Sequence, residues 1–163
     1  ATFDVFNDDR DEISFRYIKL FNGDSSIGRW PSIAEISFND QYCYDHNFSS
    51  IYQGVFQNVF DGNADTYIWF GDGGVPGKYA AFKLNNEVTT NTIKAIYGGE
   101  DYLSGIEVSN NGREWTKLET TLENSAAIAK LDSEITFSYV RVINNTDVYR
   151  TNWVKLFEIT FGE

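Results

Sequence analysis

The apolar residues of this chain recur at every second position rather than every third or fourth, and that spacing narrows the fold more than any other feature. FRYIKLF (15–21), KYAAFKL (78–84), NTIKAIY (91–97), SGIEVSN (104–110), WTKLETT (115–121), AAIAKL (126–131), FSYVRVI (137–143) and WVKLFEITF (153–161) all read as short strands rich in β-branched and aromatic residues. Turn signals separate them: GDGGVPGK at 71–78, LNNE at 84–87, GGED at 98–101, SNNGR at 109–113 and NNTD at 144–147. Asn-Gly at 111–112 between two alternating runs is a strong hairpin signal. AAIAKL alone fits a short helix as well as a strand, and no long amphipathic helix is visible. Many short strands with closely spaced turns predict an all-β, antiparallel sandwich.

At 163 residues the chain has room for one domain with a sizeable core. Its 13 basic and 24 acidic residues leave a net charge of -11, which argues against nucleic acid and anionic membrane surfaces as partners. With one cysteine, Cys43, no internal disulfide forms, so packing or a bound ion must supply stability. No apolar run of about 18 residues is present to span a membrane. The first residues, ATFDVFNDDR, lack the basic-then-apolar order of a secretion signal, so for a secreted or extracellular protein that signal is expected upstream or already removed. Catalytic patterns are also missing. One His and one Cys, with no GxSxG context, give no nucleophile–base pair. GDGGVPGK lacks phosphate-loop spacing, and abundant carboxylates are no signal in so acidic a chain.

Two further features carry information. FRYIKLFNGDSSIGRWPSIAEISF (15–38) echoes FSYVRVINNTDVYRTNWVKLFEITF (137–161), with Tyr17 matching Tyr139, Trp30 matching Trp153 and Glu35 matching Glu158. Residues 1–38 therefore read either as a packed extension of a domain over 39–163 or as the tail of an upstream copy of it. The second feature is FDGNADTYIWF (60–70), where acidic and amide oxygens crowd a loop that a Gly allows to bend tightly. Such crowding suits a cation held among them, or a solvated turn before a buried strand.

FDGNADTYIW, GKYAAFKLNNEV, GIEVSNNGREWTKL, SYVRVINNTD and WVKLFEITF follow one another across residues 39–163. Together they resemble the discoidin-like domain of coagulation factor 5/8 type C proteins and family 32 carbohydrate-binding modules. The Ser-x-Asn-Gly-x-x-Trp-x-x-Leu piece at 109–118 is the most specific part. The resemblance is strongest to modules of bacterial enzymes that trim host glycans. It implies a jelly-roll β-sandwich with a structural Ca²⁺, in a non-catalytic module that holds a parent glycoside hydrolase on glycans beside other modules of the same chain. It further implies Asp61, Asn63 and Thr66 as loop ligands of the ion and Glu158 as the closing carboxylate, a set of oxygen donors that suits calcium. Asp65 either helps or faces water.

A sugar site in the neighbouring loops is expected to pair aromatic faces with hydroxyl-binding polar groups. Loops 41–49, 70–74, 97–103 and 146–153 hold both kinds. Tyr44, Phe70, Tyr102 and Tyr149 are the candidates for stacking; Asp45, His46, Asp72, Asp101, Arg150 and Asn152 are the candidates for hydrogen bonding. Trp69 and Trp153 lie in strand-like runs and are expected in the core. Galactose-binding relatives carry a His where this chain has Phe70, and an Arg that YGGED (97–101) lacks. The expected ligand is accordingly a terminal N-acetylhexosamine. Protein-binding and spacer roles on the same fold are the alternatives, and a phospholipid-binding role is disfavoured by the charge.

Overall fold

The computed structural model describes residues 42–98, 103–147 and 153–162, which belong to the compact unit Ser37–Glu163; of residues 42–44 only the backbone is described. The segment 1–38 lies outside these residues. In chain order the elements are β1 (Tyr42–His46), β2 (Ile51–Gln53), a 3-10 helix (Phe56–Phe60), β3 (Ile68–Phe70), β4 (Tyr79–Tyr97) and β5 (Gly105–Ser109). They are followed by β6 (Thr116–Lys117), β7 (Thr121–Glu123), β8 (Ala126–Ile143) and β9 (Val154–Phe161). Every pairing is antiparallel.

Two long strands organise the rest. β4 and β8 pair along nearly their whole lengths, from Tyr79 opposite Ile143 to Ile96 opposite Ala126. The first half of β4 takes β1 as its other neighbour, and the second half takes β9. One layer therefore runs β1–β4–β8–β5–β6, and the other runs β2–β3–β9–β4–β8–β7. The register shifts between Lys83 and Val88 and again between Thr90 and Thr92, where the shared ladder passes from one layer to the other. LNNE (84–87), which the sequence marks as a turn, is thus an irregular stretch inside β4. Its polar residues 85–87 are exposed, so the turn residues serve a crossing rather than a reversal. AAIAKL, compatible with a helix, opens β8, because its alternate alanines Ala127 and Ala129 pack into the core.

The core joins inward residues of both layers: Phe82, Ile106, Val140 and Val142 from one, Ile68, Phe70, Ile93 and Leu156 from the other. Burying a side chain of this size contributes about 1.5–3 kcal/mol. On the outer face of β5 and β8, Glu107 pairs with Arg141, and the guanidinium lies 4.3 Å from the Trp115 ring centre and 5.1 Å from that of Tyr79. This contact covers a buried charge pair with aromatic faces. The Asn-Gly turn forms as the sequence predicts: Ser109 Oγ accepts the Asn111 and Gly112 amides at 3.2 and 3.0 Å, and β5 pairs with β6.

Gly54 ends β2 at φ +86°, and a Cβ there would sit 1.9 Å from the Tyr67 carbonyl oxygen. Since the obstacle is backbone, no rotamer relieves it. Gly54→Ala is expected to lower unfolding free energy by more than about 2 kcal/mol in urea titration. A change under about 0.5 kcal/mol would mean that β2 does not lie against β3 as described.

Candidate functional site

The loop after the 3-10 helix folds on its own oxygens. Asp61 Oδ1 accepts the Asn63 amide at 2.8 Å, and the Thr66 hydroxyl donates to Asp61 Oδ2 at 2.8 Å. Asn63 Oδ1 accepts the Asp65 amide at 3.0 Å, and its carbonyl accepts the Thr66 amide at 3.1 Å. Glu158 comes from β9, 96 residues away, and its Oε1 accepts the Gly62 amide at 3.2 Å. The sequence candidates Asp61, Asn63, Thr66 and Glu158 are therefore brought together.

A bulge makes this possible. Tyr97 pairs with Leu156 but Ile96 pairs with Glu158, so Phe157 has no opposite residue on β4. The alternation resets there: Leu156 and Ile159 both enter the core, and Glu158 is turned beneath the loop. Glu158 is 8% exposed, and its Oε2 has no hydrogen-bond partner. Burial, together with the nearby Asp61 charge, pushes its carboxyl above the usual range despite the Gly62 hydrogen bond. A buried carboxylate oxygen without a partner is costly, and a cation among these oxygens relieves that cost. No group of three or more His, Cys, Asp or Glu suited to a metal occurs among the described residues. The oxygens gathered here are instead those of two carboxylates, an amide and a hydroxyl, a donor set that suits calcium better than a transition metal.

Hydrogen bonds hold the loops at one end of the sandwich together. Both carboxylate oxygens of Asp72 accept the Ser49 amide at 3.1 Å, and Lys78 Nζ lies 2.8 Å from Asp72. Lys78 Nζ also donates to the Asn47 carbonyl at 2.6 Å, and Asn47 Nδ2 donates to the Gly77 carbonyl at 3.0 Å. From the other side, the buried Asn144 donates through Nδ2 to Gly73 at 3.2 Å. Burial raises the Asp72 pKa, but the Lys78 and Ser49 hydrogen bonds and the Lys78 charge outweigh it, leaving the group lowered. Asp72 thus braces loops 47–50 and 71–78, rather than offering free oxygens to a sugar.

Other sugar candidates fall differently. Phe70 is fully buried, its ring 3.9 Å from that of Phe48, so it cannot stack on a ligand. The inward alternation of β3, with Ile68 and Phe70 both in the core, is the physical reason. Asp45 is exposed and accepts the Tyr79 hydroxyl at 2.7 Å; His46 is exposed beside Phe56, at 5.4 Å between ring centres. Of Tyr44 only the backbone is described. Asp101, Tyr102, Tyr149, Arg150 and Asn152 lie outside the described residues.

The aromatic surface of the described residues instead includes two tryptophans that the sequence consigned to the core. Trp153 is 42% exposed and Trp69 half-buried on the outer face of β3 and β9, and Tyr52 of β2 beside them is 62% exposed. The three rings meet edge to face, with centres 4.8, 4.9 and 5.4 Å apart. Period two explains the correction: inward Ile68, Phe70 and Val154 force their neighbours Trp69 and Trp153 outward. That alternation was readable, and the Trp-x-Lys spacing at 153–155 was its signal. Elsewhere, an open cleft of about 700 Å³ lies beside β6, β7 and β8, lined by Lys117, Leu118, Ile128, Lys130 and Asn145 among others, without an aromatic wall.

Solved structures of similar fold define the architecture as the discoidin-like β-sandwich of family 32 carbohydrate-binding modules. CBM32-6 of a GH89 protein from Clostridium perfringens is 26% identical, with a TM-score of 0.54 over 72% of this chain and 90% of that one. Chitosan-binding module 2 of a Paenibacillus sp. IK-5 chitosanase/glucanase, solved with chitotriose, is 20% identical with a TM-score of 0.57, covering 75% and 98%. The family 32 module of C. perfringens NanJ, solved with galactose, is 17% identical with a TM-score of 0.53, covering 71% and 90%. No protein-family model and no curated protein matches the sequence.

Asp72 yields a pH prediction. A carboxyl with a lowered folded pKa contributes stability above its ordinary value of 3.8, and loses that contribution as pH falls through the lower folded value. Asp72→Asn is expected to cost about 0.5–1.5 kcal/mol at pH 7 after solvent screening. The gap to wild type should close as denaturation is repeated at successively lower pH through and below 3.8. An equal gap at pH 7 and in strong acid would contradict the charge-based brace.

Proposed function

We propose that this chain is a non-catalytic, calcium-bearing carbohydrate-binding module, secreted as part of a glycan-degrading protein and holding it on N-acetylhexosamine-containing glycans. The single observation that carries the sugar role is the solvent-facing corner of Tyr52, Trp69 and Trp153. Rings of this kind offer faces to the C–H surface of a pyranose, and large exposed aromatics rarely persist on a solvated sheet without a partner. The likeness to solved carbohydrate-binding modules supports the same reading. Few ligand atoms are buried at an open corner, so affinity for one sugar is on the order of tens of micromolar to millimolar. Neighbouring modules in a parent chain raise it by avidity.

Calcium has a structural role in this proposal. Asp61, Asn63, Thr66 and Glu158 hold the ion, which neutralises Glu158 and fixes the 61–66 loop against β9. A second reading, a protein-contact module, draws on exposed Ile51 and Val55 next to Tyr52.

Two experiments check the proposal. On a glycan array, Trp153→Ala and Tyr52→Ala are each expected to weaken binding about five- to thirtyfold while the fold is retained, because truncating a stacking ring removes on the order of 1–2 kcal/mol. Retained binding in both variants would move the sugar site elsewhere, and binding to proteins but to no glycan would favour the second reading. For the ion, calcium at 100 times its dissociation constant is expected to raise the melting temperature of the chelated protein by about 5–10 °C. Glu158→Gln should abolish that shift and leave the chelated protein no less stable than wild type. A wild-type melting temperature that ignores both calcium and chelator would remove the ion from the account.

A further inference from the structure

We infer that the aromatic corner selects an acidic sugar, a hexuronate within the glycan, through Lys155. This inference rests on the proposal that the chain binds carbohydrate at Tyr52 and Trp153. Lys155 lies on the outer face of β9, two residues beyond Trp153, and its ammonium sits 4.3 Å from the Trp69 ring centre and 4.7 Å from that of Tyr67. The ion pairs between described side chains use other basic groups: Lys78 serves Asp72 and Arg141 serves Glu107. Among the described residues, the Lys155 ammonium lies against ring faces and is in none of these ion pairs.

That arrangement fixes a cation at the edge of a stacking platform. Trp69 and Tyr67 are covered by the ammonium, while Tyr52 and Trp153, at 62% and 42% exposure, remain open to a ligand. The ring faces restrict the flexible Lys stem, so less of its entropy is lost on meeting an anion. A pyranose stacked on Tyr52 and Trp153 brings a carboxylate on its ring within reach of Lys155. A neutral sugar stacked there offers the ammonium no opposite charge. The net charge of -11 opposes anionic ligands at long range, but at physiological salt that field is screened beyond about 8 Å. A contact of ammonium and carboxylate is shorter than this, so the local pair decides. The remaining part of the preference follows from the N-acetylhexosamine proposed above, which makes an alternating hexuronate–N-acetylhexosamine chain the ligand class.

The test uses the whole chain, a tetrasaccharide alternating hexuronate and N-acetylhexosamine, and the same tetrasaccharide with its carboxylates reduced to hydroxymethyl groups. Calorimetric titration of wild type is expected to show the acidic form binding about tenfold tighter, with the preference shrinking as salt rises. Lys155→Gln should erase the preference while leaving the reduced form within about twofold of its wild-type affinity. Trp153→Ala should weaken both forms. Equal wild-type affinity for the two forms, or a preference that survives Lys155→Gln, would overturn the inference and leave glycan binding intact. No binding of either form, with no glycan bound on the array, would remove the carbohydrate reading and the inference with it.

Discussion

The ladder between β4 and β8 is the constraint on which the other parts of the molecule depend. Because both strands run through the two layers, the layers are coupled by backbone hydrogen bonds as well as by side-chain packing. β9 joins the second half of β4, and β3 joins β9. Where β9 sits therefore decides where Trp69, Trp153 and Lys155 sit on the outer face. The same pairing, with its bulge at Phe157, decides that Glu158 reaches Gly62. One irregularity in one ladder thus relates the cation loop to the aromatic corner.

The cation loop and the corner differ in what they ask of the fold. The corner needs only a rigid sheet with period two, and its rings support one another edge to face at 4.8–5.4 Å. The loop asks for more. It brings a buried, unsatisfied carboxylate oxygen next to a second carboxylate, an arrangement unfavourable on its own and relieved by a positive charge. The proposed calcium serves in place of the disulfide that a lone Cys43 cannot make.

Much of this was legible in the sequence because period two and turn chemistry are local signals. The runs at 91–97 and 137–143 and residues 154–161 of the last run lie in strands, Asn111-Gly112 lies in the turn between β5 and β6, and the residues implied as cation ligands converge. The failures share a physical cause. LNNE carries turn residues, yet a strand that changes layers needs the same polar, adaptable residues at its crossing. Phe70 and Trp69 are adjacent aromatics, and composition alone does not say which faces inward. The buried anchor is set by Ile68 and Val154, whose alternation sends Phe70 in and the two tryptophans out. Asp72 looked like a ligand group because its partners, the Ser49 amide and Lys78, come from the tertiary fold or from across a loop. Such pairings have no local signature.

The central claim is that the outer face of β3 and β9 is where a glycan docks. Its most direct test is an NMR titration of the isotope-labelled protein with an N-acetylhexosamine oligosaccharide, following the indole N–H signals and backbone amides. The account predicts saturable shifts of the Trp153 and Trp69 indoles and of the Tyr52 and Lys155 amides, with β5 and β6 unmoved. Shifts confined to the cleft around Lys117, Lys130 and Asn145, with both indoles silent, would contradict it.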